Sequence, residues 1–305
     1  MVGRFKSISI ILLVVPLVLL LASTLRAPSP ETLRELSADE IQKIESAMPA
    51  KSTVVPAKPR KILVFWRCEG FFHTSIPVVN KALEIMGKKT GAFEVTLCTD
   101  DYAVFTPEKL KEFDAVCLNN TTTLKFDPNK TPERCKALQD FVKGGNGIIG
   151  VHAATDNFYQ NPAWPEGMEM MGGRFTAHPW GGGGTWAIKI DEPKHPLTAA
   201  FKEKGFKVKD EIYRTEPPVY SRSKQLVLMS LDMSDPDTRN VKGFKETDLD
   251  TGISWIKTWG KGRLFYCSLG HNDEIFWNPA ILQHYLDGIQ FAVGDYKVDT
   301  TPKSK

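Results

Sequence analysis

The chain has 305 residues, 42% of them hydrophobic and 25% charged, with a formal net charge of +3. That is enough apolar material for one large core or two small ones. The charge is too mild, and too free of basic runs interleaved with aromatics, for a nucleic-acid partner or a membrane surface.

The chain opens with Arg4 and Lys6, an apolar run over residues 8–21, and small residues Ala22, Ser23 and Ala27. Basic, apolar, small is the order of a secretory signal, so residues 1–27 are expected to direct export and be removed. The run is shorter than the roughly 20 residues of a spanning helix. An uncleaved segment would be the only membrane attachment. Export to the periplasm or the cell exterior is the expected location.

Residues 28–59 read as a short helix and a linker. Ser37 and Glu40 fit a capping box, Ile41, Ile44 and Met48 recur at helical spacing, and Pro49 ends the run. The stretch over 51–59 reads as a spacer holding the following domain away from the membrane.

From residue 60 to 295 strands and helices alternate. Residues 61–66, 93–98, 115–118 and 148–151 are nearly continuous apolar runs, expected as strands covered on both faces. Helices are expected between them at 75–86, 107–112 and 132–143, the last opened by Thr131-Pro132 and stopped by Gly144-Gly145. The fold class is therefore α/β, a mostly parallel sheet with helices on both faces. Beyond it come a glycine-rich loop over 178–186, strands at 185–190 and 225–231, and an antiparallel pair at 253–259 and 263–268. A closing helix spans 279–293, and residues 296–305 form a polar, loose tail.

Five cysteines (Cys68, Cys98, Cys117, Cys135 and Cys267) carry no CxxC or clustered Cys/His spacing, so neither a disulfide framework nor a zinc knuckle is indicated. Cys98, Cys117 and Cys267 sit in apolar runs as small hydrophobes. No GxSxG elbow, phosphate loop or GxGxxG fingerprint occurs, which disfavours nucleotide cofactors. Cys68 with His73 as base is the weakest catalytic reading.

The polar residues fall at strand ends, where open parallel sheets bind ligands. The first strand leads to His73, the third ends in Asn119, the fourth in His152, and the late strand at 263–268 in His271; His178 lies in the glycine-rich stretch. His195 and His284 read as ordinary hydrogen-bonding residues. Imidazole transfers protons near neutral pH and also ligates metals. His152 and His271 are the proton-transfer candidates, with acidic help from Asp156, Glu211 or Asp273. His73, His152, His178 and His271 together form a candidate set for a divalent metal ion. Glu211 completes the catalytic candidates. His73, His178, Asn119, Asp156 and Tyr213 are expected to bind substrate, and aromatic residues near the loops, among them Phe71, Trp164 and Trp180, suit sugar rings. Alanine at His152 is expected to cost activity without costing stability.

The segments "GFFH" (70–73), "GGNGIIGVHAATD" (144–156), "MGGRFTAHP" (171–179), "DEIY" (210–213) and "GRLFYCSLGH" (262–271) occur in the order of the ThuA-like, trehalose-utilisation family, which the chain resembles over about residues 61–293. The resemblance implies the flavodoxin-like architecture of the class I glutamine amidotransferase superfamily. Those relatives carry a cysteine at the elbow where this chain has His152, so glutamine hydrolysis is not expected. It further implies a small-molecule carbohydrate as partner, a trehalose-like disaccharide or 3-keto-glycoside, and an enzyme of hydrolase or lyase type. A non-catalytic carbohydrate-binding module is the alternative.

Overall fold

The computed structural model describes residues 33–160 and 162–304, and residues 33 onward form one compact unit. The expected export signal at 1–27 lies outside the described residues. Among the described residues no helix is long and apolar enough to cross a membrane.

Helix α1 (Ala38–Ala47) starts at the expected capping box, with the Ser37 side chain accepting from Glu40 N and the Glu40 carboxylate accepting from Ser37 N. It is followed by β1 (Lys61–Phe65), α2 (Ile76–Thr90), β2 (Glu94–Thr99), a single turn α3 (Pro107–Leu110), β3 (Ala115–Asn119), α4 (Pro132–Lys143) and β4 (Gly147–Val151). Proline at the first turn favours the starts of α2 and α4. Gly91, at φ 67°, ends α2 with its N–H on Gly87 O.

The second half runs α5 (Pro165–Met171), β5 (Phe175–Trp180), β6 (Thr185–Ile190), β7 (Phe206–Lys209), β8 (Ile212–Thr215), β9 (Leu226–Leu231), a single turn α6 (Pro236–Arg239), β10 (Gly252–Trp259), β11 (Gly262–Cys267) and α7 (Pro279–Ala292).

Nine strands form one sheet in the order β2-β1-β3-β4-β11-β10-β9-β6-β7. The stretch from β2 to β11 is parallel, and β10, β9, β6 and β7 extend it with antiparallel pairings. The parallel part has the flavodoxin-like order, with β11 as its fifth strand. Alternation sorts the side chains of each strand to two cores. Ile62 and Val64 pack with residues of α1, α2 and α7, whereas Leu63 and Phe65 face α3, α4 and α5. The helices therefore cover both faces, as expected.

Four local expectations change. The strand expected at 93–98 is β2 (Glu94–Thr99), an edge strand whose side chains alternate between half-buried and exposed because it has a neighbour on one side only; Cys98 is exposed there. Helix α1, read as lying ahead of the domain, packs into it, since Ile44, Ala47 and Met48 belong to the core. The linker after it is tied to α7, with Thr53 N donating to Gln290 Oε1 at 2.8 Å and Gln290 Nε2 to Val54 O at 2.7 Å. The tail is not loose: Tyr296 and Val298 pack on the core, His195 Nε2 lies 3.0 Å from Asp299 O, and Lys303 pairs with Glu192.

A candidate metal and proton-transfer centre

His152 follows β4 directly and opens a short 3-10 turn over His152–Thr155 with φ 44°. A left-handed φ is rare for a residue with a Cβ and marks a sharp, held turn. The ring is wholly buried and its Nδ1 lies 2.8 Å from Ser268 O. A carbonyl only accepts, so Nδ1 carries the proton and donates. Nε2 of the neutral ring is then a bare lone pair, and it has no hydrogen-bond partner.

Two more imidazoles meet it. His73, on the loop after β1, and His271, on the loop after β11, have ring centroids 5.0 and 5.2 Å from that of His152, and 5.3 Å from each other. His73 Nδ1 and His271 Nδ1 are also without hydrogen-bond partners. The fourth member is Glu211, just before β8. Its Oε2 lies 3.6 Å from His152 Nε2 and 3.3 Å from His271 Nδ1, while its Oε1 lies 3.3 Å from His178 Nδ1. Donor atoms of His73, His152, Glu211 and His271 all fall within 4.8 Å of one another.

Electrostatics separates the members. Burial, reinforced by the neighbouring His152 and His271, pushes His73 down to about 2, so it is neutral. Burial likewise lowers His152, against the pull of Glu211. Burial works to lower His271, yet the facing Glu211 carboxylate together with the charges of Asp210 and Asp273 raises it. Burial works to raise Glu211, yet the facing His152 and His271 rings together override it and lower the carboxyl well below its ordinary range.

The supporting shell is buried too. Asp210, adjacent to Glu211, accepts from Gly270 N and Asn272 N, both at 2.7 Å, and so grips the turn that carries His271. Burial pushes its carboxyl up to about 7 despite those donors. On the far side of His271, the position a Gly182 Cβ would occupy is 2.9 Å from the imidazole Cδ2, so this part of the glycine-rich loop must stay bare for the ring to sit there. Tyr213 Oη lies 3.4 Å from His73 Nε2.

The structure revises the expected set. His178 is in β5, which pairs with β8, rather than in a loop, and it stands outside the four-member group. Glu211 takes the fourth place, because the ribbon of β5 and β8 points His178 at the outer carboxylate oxygen; the His178 side chain stays 57% exposed. Asn119 is consumed by the scaffold, donating to Ile76 O and Asn80 Oδ1. Asp156 is bonded by the Tyr159 hydroxyl, and burial pushes it up to about 6. Asp273 pairs with Arg34 and is not a member of the four-residue group, although its charge still acts on His271. Trp164 and Trp180 are core residues. Cys68 donates to Asn120 O at 3.2 Å, a packing role. Because His152 is entirely buried, the expectation that its loss leaves stability unchanged does not survive.

Sequence reading missed Asp210, although it stands in the same "DEIY" segment as Glu211. It also missed the Ser268 carbonyl, which no side-chain motif can announce.

Chemically, three neutral-capable imidazole nitrogens and one carboxylate oxygen fit a divalent first-row transition ion such as zinc better than calcium or magnesium, which favour all-oxygen shells. A tetrahedral ion bound at about 2.1 Å spaces its donors roughly 3.4 Å apart. The Glu211 contacts already match that spacing, and the widest pair has to close somewhat. The Ser268 carbonyl behind His152 is the expected support for a ligating ring.

A family model described as trehalose utilisation (ThuA) matches residues 61–292. Among solved structures, a putative ThuA-like protein from Bacteroides uniformis is similar at 22% identity and a TM-score of 0.60, over 77% of this chain and 93% of that one. A putative ThuA-like protein from Parabacteroides merdae is similar at 18% identity and a TM-score of 0.55, over 78% and 91%. At these identities the likeness is one of fold. No curated protein matches the chain.

Proposed function

The chain belongs to the trehalose-utilisation (ThuA) family, and we propose that it is an exported, metal-dependent carbohydrate-processing enzyme of hydrolase or lyase type. One observation carries the metal: the bare Nε2 of His152 faces the Glu211 carboxylate at 3.6 Å, with the unpartnered nitrogens of His73 and His271 beside it. A lone pair and an anion repel each other, and burial makes protonation of His152 the costly remedy. A divalent cation satisfies all four groups together.

His73, His152, Glu211 and His271 would hold the ion. When bound it would polarise a sugar carbonyl or hydroxyl oxygen as a Lewis acid. His178 is exposed and stands 3.3 Å from the outer oxygen of Glu211, which suits it to exchange a proton between the reacting sugar and solvent. A 3-keto-glycoside suits this equipment: its keto group acidifies the C2–H bond, a base takes that proton, the electron pair forms a C1–C2 double bond as the C1–O bond breaks, and the departing glycosidic oxygen receives a proton in turn. Export is supported by the basic, apolar and small residues of 1–27.

The test is metal analysis of the purified protein together with turnover of a 3-keto-glycoside, with and without chelator. One equivalent of a transition metal and chelator-sensitive conversion are expected. Conversion by metal-free protein overturns the metal. Reversible binding without conversion identifies a carbohydrate-binding module instead.

A further inference from the structure

We propose that Phe71 is the platform on which the substrate's pyranose ring stacks, an inference that rests on the carbohydrate reading above. Phe71 is 65% exposed, and only Val55 and Leu249 share that condition among large apolar residues of the described chain. A single exposed phenyl ring needs no explanation by itself. Its position does. The ring centroid is 4.9 Å from that of His73, edge to face, and 6.5 Å from that of His271 with the planes only 15° apart. Phe71 therefore stands beside two members of the cluster while keeping most of its surface in solvent.

The backbone that carries the ring is also held in place. Thr122 Oγ1 donates to Phe71 O at 2.9 Å and accepts from Gly70 N at 3.3 Å, and Glu69 N donates to Thr122 O at 2.9 Å. This close apposition needs glycine at 70, where a Cβ would stand 3.0 Å from Thr123 Oγ1. A backbone fixed in this way loses little freedom when a ligand arrives.

A pyranose fits such a wall. One face of the sugar is a sheet of C–H bonds that packs on an aromatic ring, while its edge carries the hydroxyl and carbonyl oxygens. With the C–H face on Phe71, that edge is presented toward His73 and His271.

The experiment compares wild type with Phe71→Ala, Phe71→Leu and Phe71→Trp. Metal content and melting temperature are measured first, then trehalose binding by calorimetry and the KM and kcat for a 3-keto-glycoside. Metal content should match wild type in all three variants. Affinity should fall, or KM rise, by about tenfold in Phe71→Ala and Phe71→Leu, with kcat nearly unchanged and with Phe71→Trp retaining wild-type values. Wild-type affinity in Phe71→Ala, or in Phe71→Leu, overturns the platform and leaves the enzyme reading intact. A wild-type protein that neither binds nor converts either sugar overturns the carbohydrate reading, and the platform falls with it.

Discussion

Glu211 Oε2 and His152 Nε2 face each other at 3.6 Å, and each is fixed from behind. His152 is anchored by its Nδ1 on Ser268 O, and Glu211 is continuous with Asp210, whose carboxylate holds the Gly270–Asn272 turn. His152 cannot turn away without breaking that buried hydrogen bond, and the backbone beside Glu211 is held through Asp210. The pair carries an electrostatic conflict that, under the proposed function, a cation would answer.

Replacing His152 by alanine should remove a ligand and leave Ser268 O without its donor. Bound metal should drop well below one equivalent, and turnover should fall by about 10²-fold or more. Stability should fall by about 1–3 kcal/mol, the scale for an orphaned buried acceptor. Metal analysis, turnover and urea unfolding on one sample check all three. Full metal occupancy with wild-type turnover would remove His152 from the centre.

Asp210→Ala should leave all four candidate ligands in the chain yet weaken metal binding by about 10- to 100-fold, the range for losing an outer-shell partner. Gly270 N and Asn272 N lose their acceptor, and the turn carrying His271 is freed. Competition with a metal-binding dye reads the affinity. An unchanged affinity would mean that the turn holds its shape without Asp210.

Arg214 and Asp248 form a bidentate pair at 2.5 and 2.6 Å, with both side chains buried. It secures β8, the strand that follows Glu211. Asp248→Ala should cost about 3–5 kcal/mol by stranding the guanidinium. The double change Arg214→Met with Asp248→Leu should recover much of that loss. Denaturant midpoints of the three proteins decide, and equal loss in single and double variants would count against a stranded charge.

Asp287 in α7 is buried and accepts from the Thr53 hydroxyl and from Gln283 Nε2; burial pushes its carboxyl up to about 6. The folded protein thus holds this proton more tightly than the unfolded chain, whose carboxyl titrates near 4. Its contribution is fully present below about pH 4 and is lost as pH rises through about 6. Between those limits the wild type should lose on the order of 2–3 kcal/mol from this group. Asp287→Asn should not show that component, so the stability difference between the two proteins should change with pH across the window. A pH-independent difference, from denaturant unfolding at several pH values, would contradict the assignment.

Local signals carried much of the fold. Apolar runs at 61–66, 115–118 and 148–151 need burial on both faces, and Pro132 and Gly144 bound a helix by backbone chemistry alone, so β1, β3, β4 and α4 were legible. The edge position of β2 was not. An apolar run says that a strand wants cover, and only the strand order decides which strand is left at the margin. His73, His152 and His271 were legible as candidates because each follows a strand, and parallel strands bring their carboxyl ends to one edge. What the sequence could not weigh was Glu211 against His178. Both lie in or next to the two-stranded ribbon of β5 and β8, and the pairing of those strands sets Glu211 among the three imidazoles and His178 on its outer oxygen. The residues that can hold a proton or an ion are written in the chain. Which of their atoms are left without partners is fixed by distances of about 3 Å between distant segments, such as His152 and Ser268, 116 residues apart, and only the folded backbone sets those.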